Sequence, residues 1–159
     1  VIGIIAILAG IVIVAINPAK QFAQARNTER QAGVSAILNA IGQRVADNKG
    51  IFQGPFLVGG TKYFCGPLPS AASGVATSHM YTTLLTSTTS SESGNLGCLA
   101  PTYIAMMPTD PDSAWISTVS SDYTGYDVGV DPTGRITVCA NRAATETSIP
   151  NAESICLTR

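Results

Sequence analysis

Charge and aromatic rings are scarce in this 159-residue chain: Asp, Glu, Lys and Arg make up 12% of it, Phe, Trp and Tyr 6%, and His79 is its single histidine. With a single histidine and no G-x-S-x-G nucleophile elbow, Ser-His-Asp catalysis finds little support. His79 lies in a Ser/Thr-rich stretch and reads as a solvated or capping residue. No C-x-x-C occurs, which removes thioredoxin-like redox chemistry and zinc ribbons. The N-x-[ST] sequon is missing, so there is no signal for N-glycosylation. A net charge of −1 gives no basis for nucleic acid as a specific ligand. No catalytic constellation, metal site or cofactor is assigned.

Polar side chains are missing altogether from the first sixteen residues, VIGIIAILAGIVIVAI. As a helix this segment is about 24 Å long, short of the roughly 30 Å hydrocarbon core, so it spans only with more apolar residues upstream. A signal peptide fits poorly, because no small-residue cleavage site precedes the Asn17-Pro18 pair. A buried core helix also fits poorly, since the segment is apolar on every side.

Beyond Pro18 the pattern becomes amphipathic. Val34, Ile37, Leu38, Ile41 and Val45 recur at three- to four-residue spacing, with Gln31, Asn39, Gln43 and Asp47 off that stripe. Asn48, Lys49 and Gly50 supply a C-terminal stop. The expectation is one long helix from Val1 to about Asn48, kinked or locally melted between Gly10 and Pro18, because proline deletes a backbone hydrogen bond and glycine weakens the helix. Charge is uneven along the chain: Lys20, Arg26, Arg30, Arg44 and Lys49 dominate up to Gly50, and acids dominate after it.

The run VIGIIAILAGIVIVAINPAKQFAQARNTERQ resembles the N-terminal helix of type IV pilins and of the pseudopilins of type II secretion, over about a third of the chain. In that family a prepilin peptidase cuts just before an apolar helix, which anchors the subunit in the inner membrane and later packs in the filament core. The resemblance implies an assembly segment made of Val1, Ile2, Ile4, Ile5, Ile7, Leu8, Ile11, Val12, Ile13, Val14 and Ile16, with Gly10 and Pro18 as its weak points. The family's early glutamate has no counterpart in residues 1–5, so a turn or two of helix is expected upstream of Val1. The basic residues Lys20, Arg26 and Arg30 are expected to meet acidic heads of neighbouring subunits.

The remainder follows in the family's order. Residues 50–70 are punctuated by glycine and proline and are read as connective. A short helix is expected over 78–85, and TSTTSSESGN (86–95) is a solvated loop whose composition also suits O-glycosylation. YIAMMPTDP (103–111) resembles the segment that leads pilins into their sheet, with Tyr103, Ile104 and Met107 anchoring on the helix. Tyr126, Val128 and Val130 alternate, residues 131–134 turn, Ile136 and Val138 alternate again, and SICLTR closes with a last strand. The fold expected is α+β, a long helix packed on a small antiparallel sheet, with 1–49 as helix (1–18 apolar, 19–49 amphipathic), 50–112 as connection and 113–159 as sheet.

Four cysteines at Cys65, Cys98, Cys139 and Cys156 favour disulfides in an exported domain, and three connectivities are open. The resemblance implies Cys139 with Cys156, as in the closing disulfide of many pilins, which leaves Cys65 for Cys98. Each contributes roughly 3 kcal/mol through the unfolded chain. Some pseudopilins bind calcium in their sheet loops, and Asp110, Asp112, Asp122, Asp127 and Asp131 are oxygen ligands of the right kind. They are equally turn residues, and no EF-hand pattern is present. The function implied is a structural subunit of an extracellular filament for adhesion, motility or DNA uptake, made of identical copies, methylated at its start and handled by a pilus assembly machinery. A pseudopilin of a type II secretion system is the alternative.

Overall fold

The computed structural model describes residues 1–15, 17–58, 60–70, 78–81, 96–112 and 123–159. Ile16, the Ser/Thr-rich stretch 86–95 and Asp122 lie outside the described residues. The chain is of mixed α+β class, one long helical stem with small antiparallel sheets.

The stem is two helices, α1 (Ile2–Ala15) and α2 (Pro18–Asp47). Between them Asn17 is extended, at φ −69° and ψ 99°, and its side-chain oxygen accepts from the Lys20 amide at 3.2 Å. A residue before proline is driven out of the α region, and proline at the first helical position loses an amide that had no partner anyway. The break between α1 and α2 falls inside the Gly10-to-Pro18 interval, and Gly10 itself sits within α1. At the other end Lys49 (φ 57°) and Gly50 (φ 90°) turn the chain left-handed, and the Gly50 amide closes onto the Val45 carbonyl at 2.8 Å.

The main sheet has the order β3 (Ser78–Tyr81), β4 (Tyr123–Val130), β5 (Ile136–Ala140) and β6 (Ile155–Thr158), antiparallel throughout. Asp131 makes the β4–β5 turn: its carboxylate accepts from the Thr133 hydroxyl at 2.6 Å and from the Thr133 and Arg135 amides at 2.8 and 2.9 Å. The Thr133 hydroxyl, then the Arg135 amide, hold that carboxyl below its ordinary range. Residues 78–81 form a strand where the sequence reads as helix, because Ser78 and His79 pair with Val128 and Asp127; tertiary pairing overrides a weak local preference. The rest of that expected helix, 82–85, falls outside the described residues.

Residues 50–70 also depart from expectation. They contain a hairpin, β1 (Gly54–Val58) with β2 (Thr61–Cys65). Its glycines, Gly54 at φ 139° and Gly60 at φ 85°, bound the strands and do not break them. Pro55 is tolerated because, among the described residues, β1 pairs with β2 alone. Arg44, buried on α2, pins this hairpin by donating to the carbonyls of Phe52 (3.0 Å) and Gly54 (3.2 Å), with the Phe56 ring 5.6 Å from its guanidinium.

Cys65 is bonded to Cys98, tying β2 to the short helical turn Gly97–Leu99, and Cys139 is bonded to Cys156 across the β5–β6 pair. The core between α2 and the sheet is Val34, Ile37, Leu38 and Ile41 against Tyr126, Val128 and Val138, closed by Leu96, Leu99 and Met107. Tyr103 and Ile104 pack on its edge.

Helix and sheet approach each other tightly at Gly33. A methyl group there would collide with the Tyr126 hydroxyl, lie 2.8 Å from the ring carbon bearing it and 3.4 Å from Pro108. Alanine favours a helix by about 1 kcal/mol over glycine, but displacing a buried ring costs about 1–3 kcal/mol. Gly33→Ala is therefore expected to lower the urea midpoint; an unchanged or raised midpoint would show that Tyr126 yields freely.

Candidate assembly surface

Helix α1 contains no acid in its first turn and no base in its last. Its hydrophobic residues are not turned to one side, and over residues 1–8 the structure leaves them bare: relative exposure is 97% for Val1, 85% for Ile2, 66% for Ile7 and 58% for Leu8. Ile4 and Ile5 are exposed as well. Ile11, Val12, Ile13 and Val14 continue the same helix. A contiguous apolar surface of this kind marks an interaction site, since single exposed aliphatics are normal but a whole rod of them is not. Each large aliphatic side chain covered by a partner is worth roughly 1.5–3 kcal/mol. Fourteen helical residues make α1 about 21 Å long. Among the described residues no helix is long and apolar enough to cross a membrane.

Helix α2 is fixed to the head by a buried ionic cluster. Arg30 is 1% exposed and grips Asp110 with two bonds, Nε to Oδ2 at 2.7 Å and Nη2 to Oδ1 at 3.0 Å. Its Nη1 donates to Glu146 Oε1 at 2.5 Å and to Asn27 Oδ1 at 2.8 Å. Arg26, one turn nearer α1, donates from Nε to Glu146 Oε1 at 2.8 Å and from Nη2 to the other oxygen. Burial opposes the charge of Arg30, but the bonds from Asp110 and Glu146 outweigh it and hold the guanidinium above its ordinary pKa. The bond from Arg26 does most to hold Glu146 down to about 2; burial opposes it, and Arg30 adds to it. Beside them burial, then the charge of Asp110, pushes the Tyr126 phenol up to about 12.

This arrangement corrects the expectation that Arg26 and Arg30 reach out to neighbouring subunits: both are satisfied within their own chain. A signal for it was present. Positions 30, 34, 37, 41 and 44 form one helical stripe, so Arg30 and Arg44 lie at its two ends and are buried with it. A charge on a buried stripe requires an internal partner. Lys20, in contrast, is exposed.

The aspartates considered as oxygen ligands are placed separately. Asp110 belongs to Arg30, Asp112 accepts from Arg142 at 2.6 Å, and Asp131 holds its own turn. Asp127 accepts from the Tyr123 hydroxyl at 3.1 Å and from Asn141 Nδ2 at 2.5 Å. Among the described residues no group of three or more His, Cys, Asp or Glu is placed to hold a metal ion. His79 lies on β3, opposite Asp127 in the register.

The depressed Glu146 carboxyl has a consequence for stability. A group ionising near 4.5 when unfolded and near 2 when folded adds stability that is complete above pH 4.5 and lost as pH falls through about 2. Acid should therefore weaken the head between those values, and Glu146→Gln should flatten that dependence while lowering stability at neutral pH. Urea midpoints across the acid range test this; a Glu146→Gln chain with the unaltered acid slope would contradict it.

The chain matches none of the protein-family models, curated proteins or solved structures with which it was compared.

Proposed function

We propose that this chain is a structural subunit of the type IV pilin kind, polymerising through α1 into an extracellular filament of identical copies. The observation that carries the reading is the bare aliphatic stretch Ile2–Leu8 at the start of α1, joined to a disulfide-tied head. An enzyme gains nothing from such a stretch; a polymer needs it, because burial against copies of itself is the interaction that α1 can make in water. Before assembly the lipid of the inner membrane covers the same side chains, and an assembly machinery transfers the subunit from lipid to filament. The cluster at Arg30 keeps the head from peeling off the stem when the stem bears load. Two disulfides suit a head that ends up outside the cell.

Filaments sheared from the surface of producing cells, imaged by electron microscopy and digested for peptide identification, test the proposal. The expected result is thin filaments whose subunit yields the peptides of this chain, with Cys65 linked to Cys98 and Cys139 to Cys156. A chain found only as a dispersed monomer, with no filament containing it, would refute it.

A further inference from the structure

Between α2 and residues 106–109 runs a groove of about 390 Å³, with Ala32 and Ala36 on one wall and Met107 and Pro108 on the other. At about 30 Å³ for each water-sized group it holds roughly a dozen non-hydrogen atoms. Its rim is soft, because the flexible thioether of Met106 is 80% exposed. Two polar groups border it. Tyr126 lies at the floor, fully buried, with its hydroxyl against Gly33, and that hydroxyl finds no hydrogen-bond partner among the described residues. A buried donor left in this way is uncommon and costly, and beside a groove it marks where a ligand atom completes the site. The second group is Glu29, exposed at the rim. The cations next to it in sequence, Arg26 and Arg30, are held by Glu146 and Asp110, so among the described residues the Glu29 carboxylate has no cation of its own.

We infer that this groove binds a small organic ammonium: a primary amine with an apolar body and a carbonyl oxygen, the amine at Glu29, the oxygen on the Tyr126 hydroxyl and the body against Met106, Met107 and Pro108. The inference stands apart from the filament reading. Geometry selects the spacing of the two ligand groups. Glu29 and Gly33 are one helical turn apart, so the carboxylate and the hydroxyl are separated by roughly 6 Å along α2. An amine and an oxygen three bonds apart, each making a hydrogen bond of about 2.9 Å, bridge that distance, and an amino-acid amide has this spacing. Burial, then the charge of Asp110, keeps the phenol protonated and therefore a donor, and Glu29 adds to them, which places its carboxylate within electrostatic reach of the hydroxyl. Chemistry excludes the other occupants. An anion meets Glu29 with no cation to offset it. A wholly apolar body seals the Tyr126 hydroxyl without a partner and strips water from Glu29. A bare metal ion finds a single carboxylate here, and no group of three or more ligating side chains is present among the described residues.

Phenylalaninamide is the probe, since it carries the amine and the carbonyl at this spacing and a ring suited to methionine sulfur. Titrated into the full chain, it should shift the methyl resonances of Met106 and Met107 saturably, with a Kd on the order of 0.1–1 mM for a ligand of this size. N-acetylphenylalaninamide, which lacks the charge, and phenylalanine, which adds a carboxylate, should each bind at least about fivefold more weakly. Glu29→Gln and Tyr126→Phe should each weaken phenylalaninamide by about fivefold or more. Because the hydroxyl has no partner to lose in the free chain, Tyr126→Phe should leave the urea midpoint unchanged or raised, which separates loss of the ligand from loss of the fold. No saturable shift up to about 10 mM, equal affinity for the three compounds, or parent affinity in the Tyr126→Phe chain would overturn the site. So would a lowered midpoint for Tyr126→Phe, which would show the hydroxyl to be partnered within the chain.

Discussion

Asp110→Ala is expected to destabilise the head by about 3–5 kcal/mol, the usual result of removing one partner from a buried ion pair. The carboxylate accepts two bonds from Arg30, and its Oδ1 also accepts from the Asp112 amide at 2.8 Å. Alanine leaves Arg30 buried with Glu146 as its remaining acid, and Glu146 already serves Arg26. The position is also closed from above. The Asp110 amide donates to the Thr124 carbonyl at 2.7 Å, and Gly125, at φ 87°, lies so near that a methyl there would strike the Asp110 Cβ. Water therefore has little room to replace the lost oxygens. A paired Arg30→Met, Asp110→Leu chain should recover most of the loss, because apolar groups of similar shape need no counter-ion. Urea titration decides the matter: a loss below about 1 kcal/mol would place the cluster among exposed pairs and deny it a role in mounting the stem.

Ile7→Asp is expected to abolish filaments while leaving the head intact. Ile7 is two-thirds exposed in the free chain, so an aspartate there costs the monomer little beyond helix propensity. In a bundle of apolar helices the same carboxylate is stranded without a partner, at a cost of several kcal/mol per copy. The penalty recurs at every subunit, so the polymer amplifies a change that the monomer barely registers. Electron microscopy of sheared surface material, set beside the urea midpoint of the purified chain, separates the two states. Normal filaments from this variant would exclude residue 7 from any buried assembly contact.

The elements that were legible in the sequence are those with long regular periods. The stripe through Val34, Ile37, Leu38 and Ile41 announced the buried face of α2, and the alternation of Tyr126, Val128 and Val138 announced β4 and β5. The hairpin at residues 54–65 was hidden because its glycines and proline read as breakers, whereas Gly54 and Gly60 only bound strands that Arg44 holds down. The strand at 78–81 was hidden because four residues carry too little period to outvote a helical reading, and their pairing with β4 comes from far along the chain. For the stem, the two helices part next to Pro18 while Gly10 stays helical, since glycine lowers helix preference without removing a hydrogen bond. The ionic cluster joins residues 80 and 116 apart in sequence, which no local pattern reports; only the placement of Arg30 on an apolar stripe hinted at it.

That α1 drives assembly is tested most directly by a side-chain-resolution map of filaments formed by the parent chain. The account predicts α1 at the filament axis with its aliphatic residues covered by other copies, and the disulfide-tied heads outside. Filaments held together through the heads, with Ile2, Ile4 and Ile7 facing solvent, would contradict it.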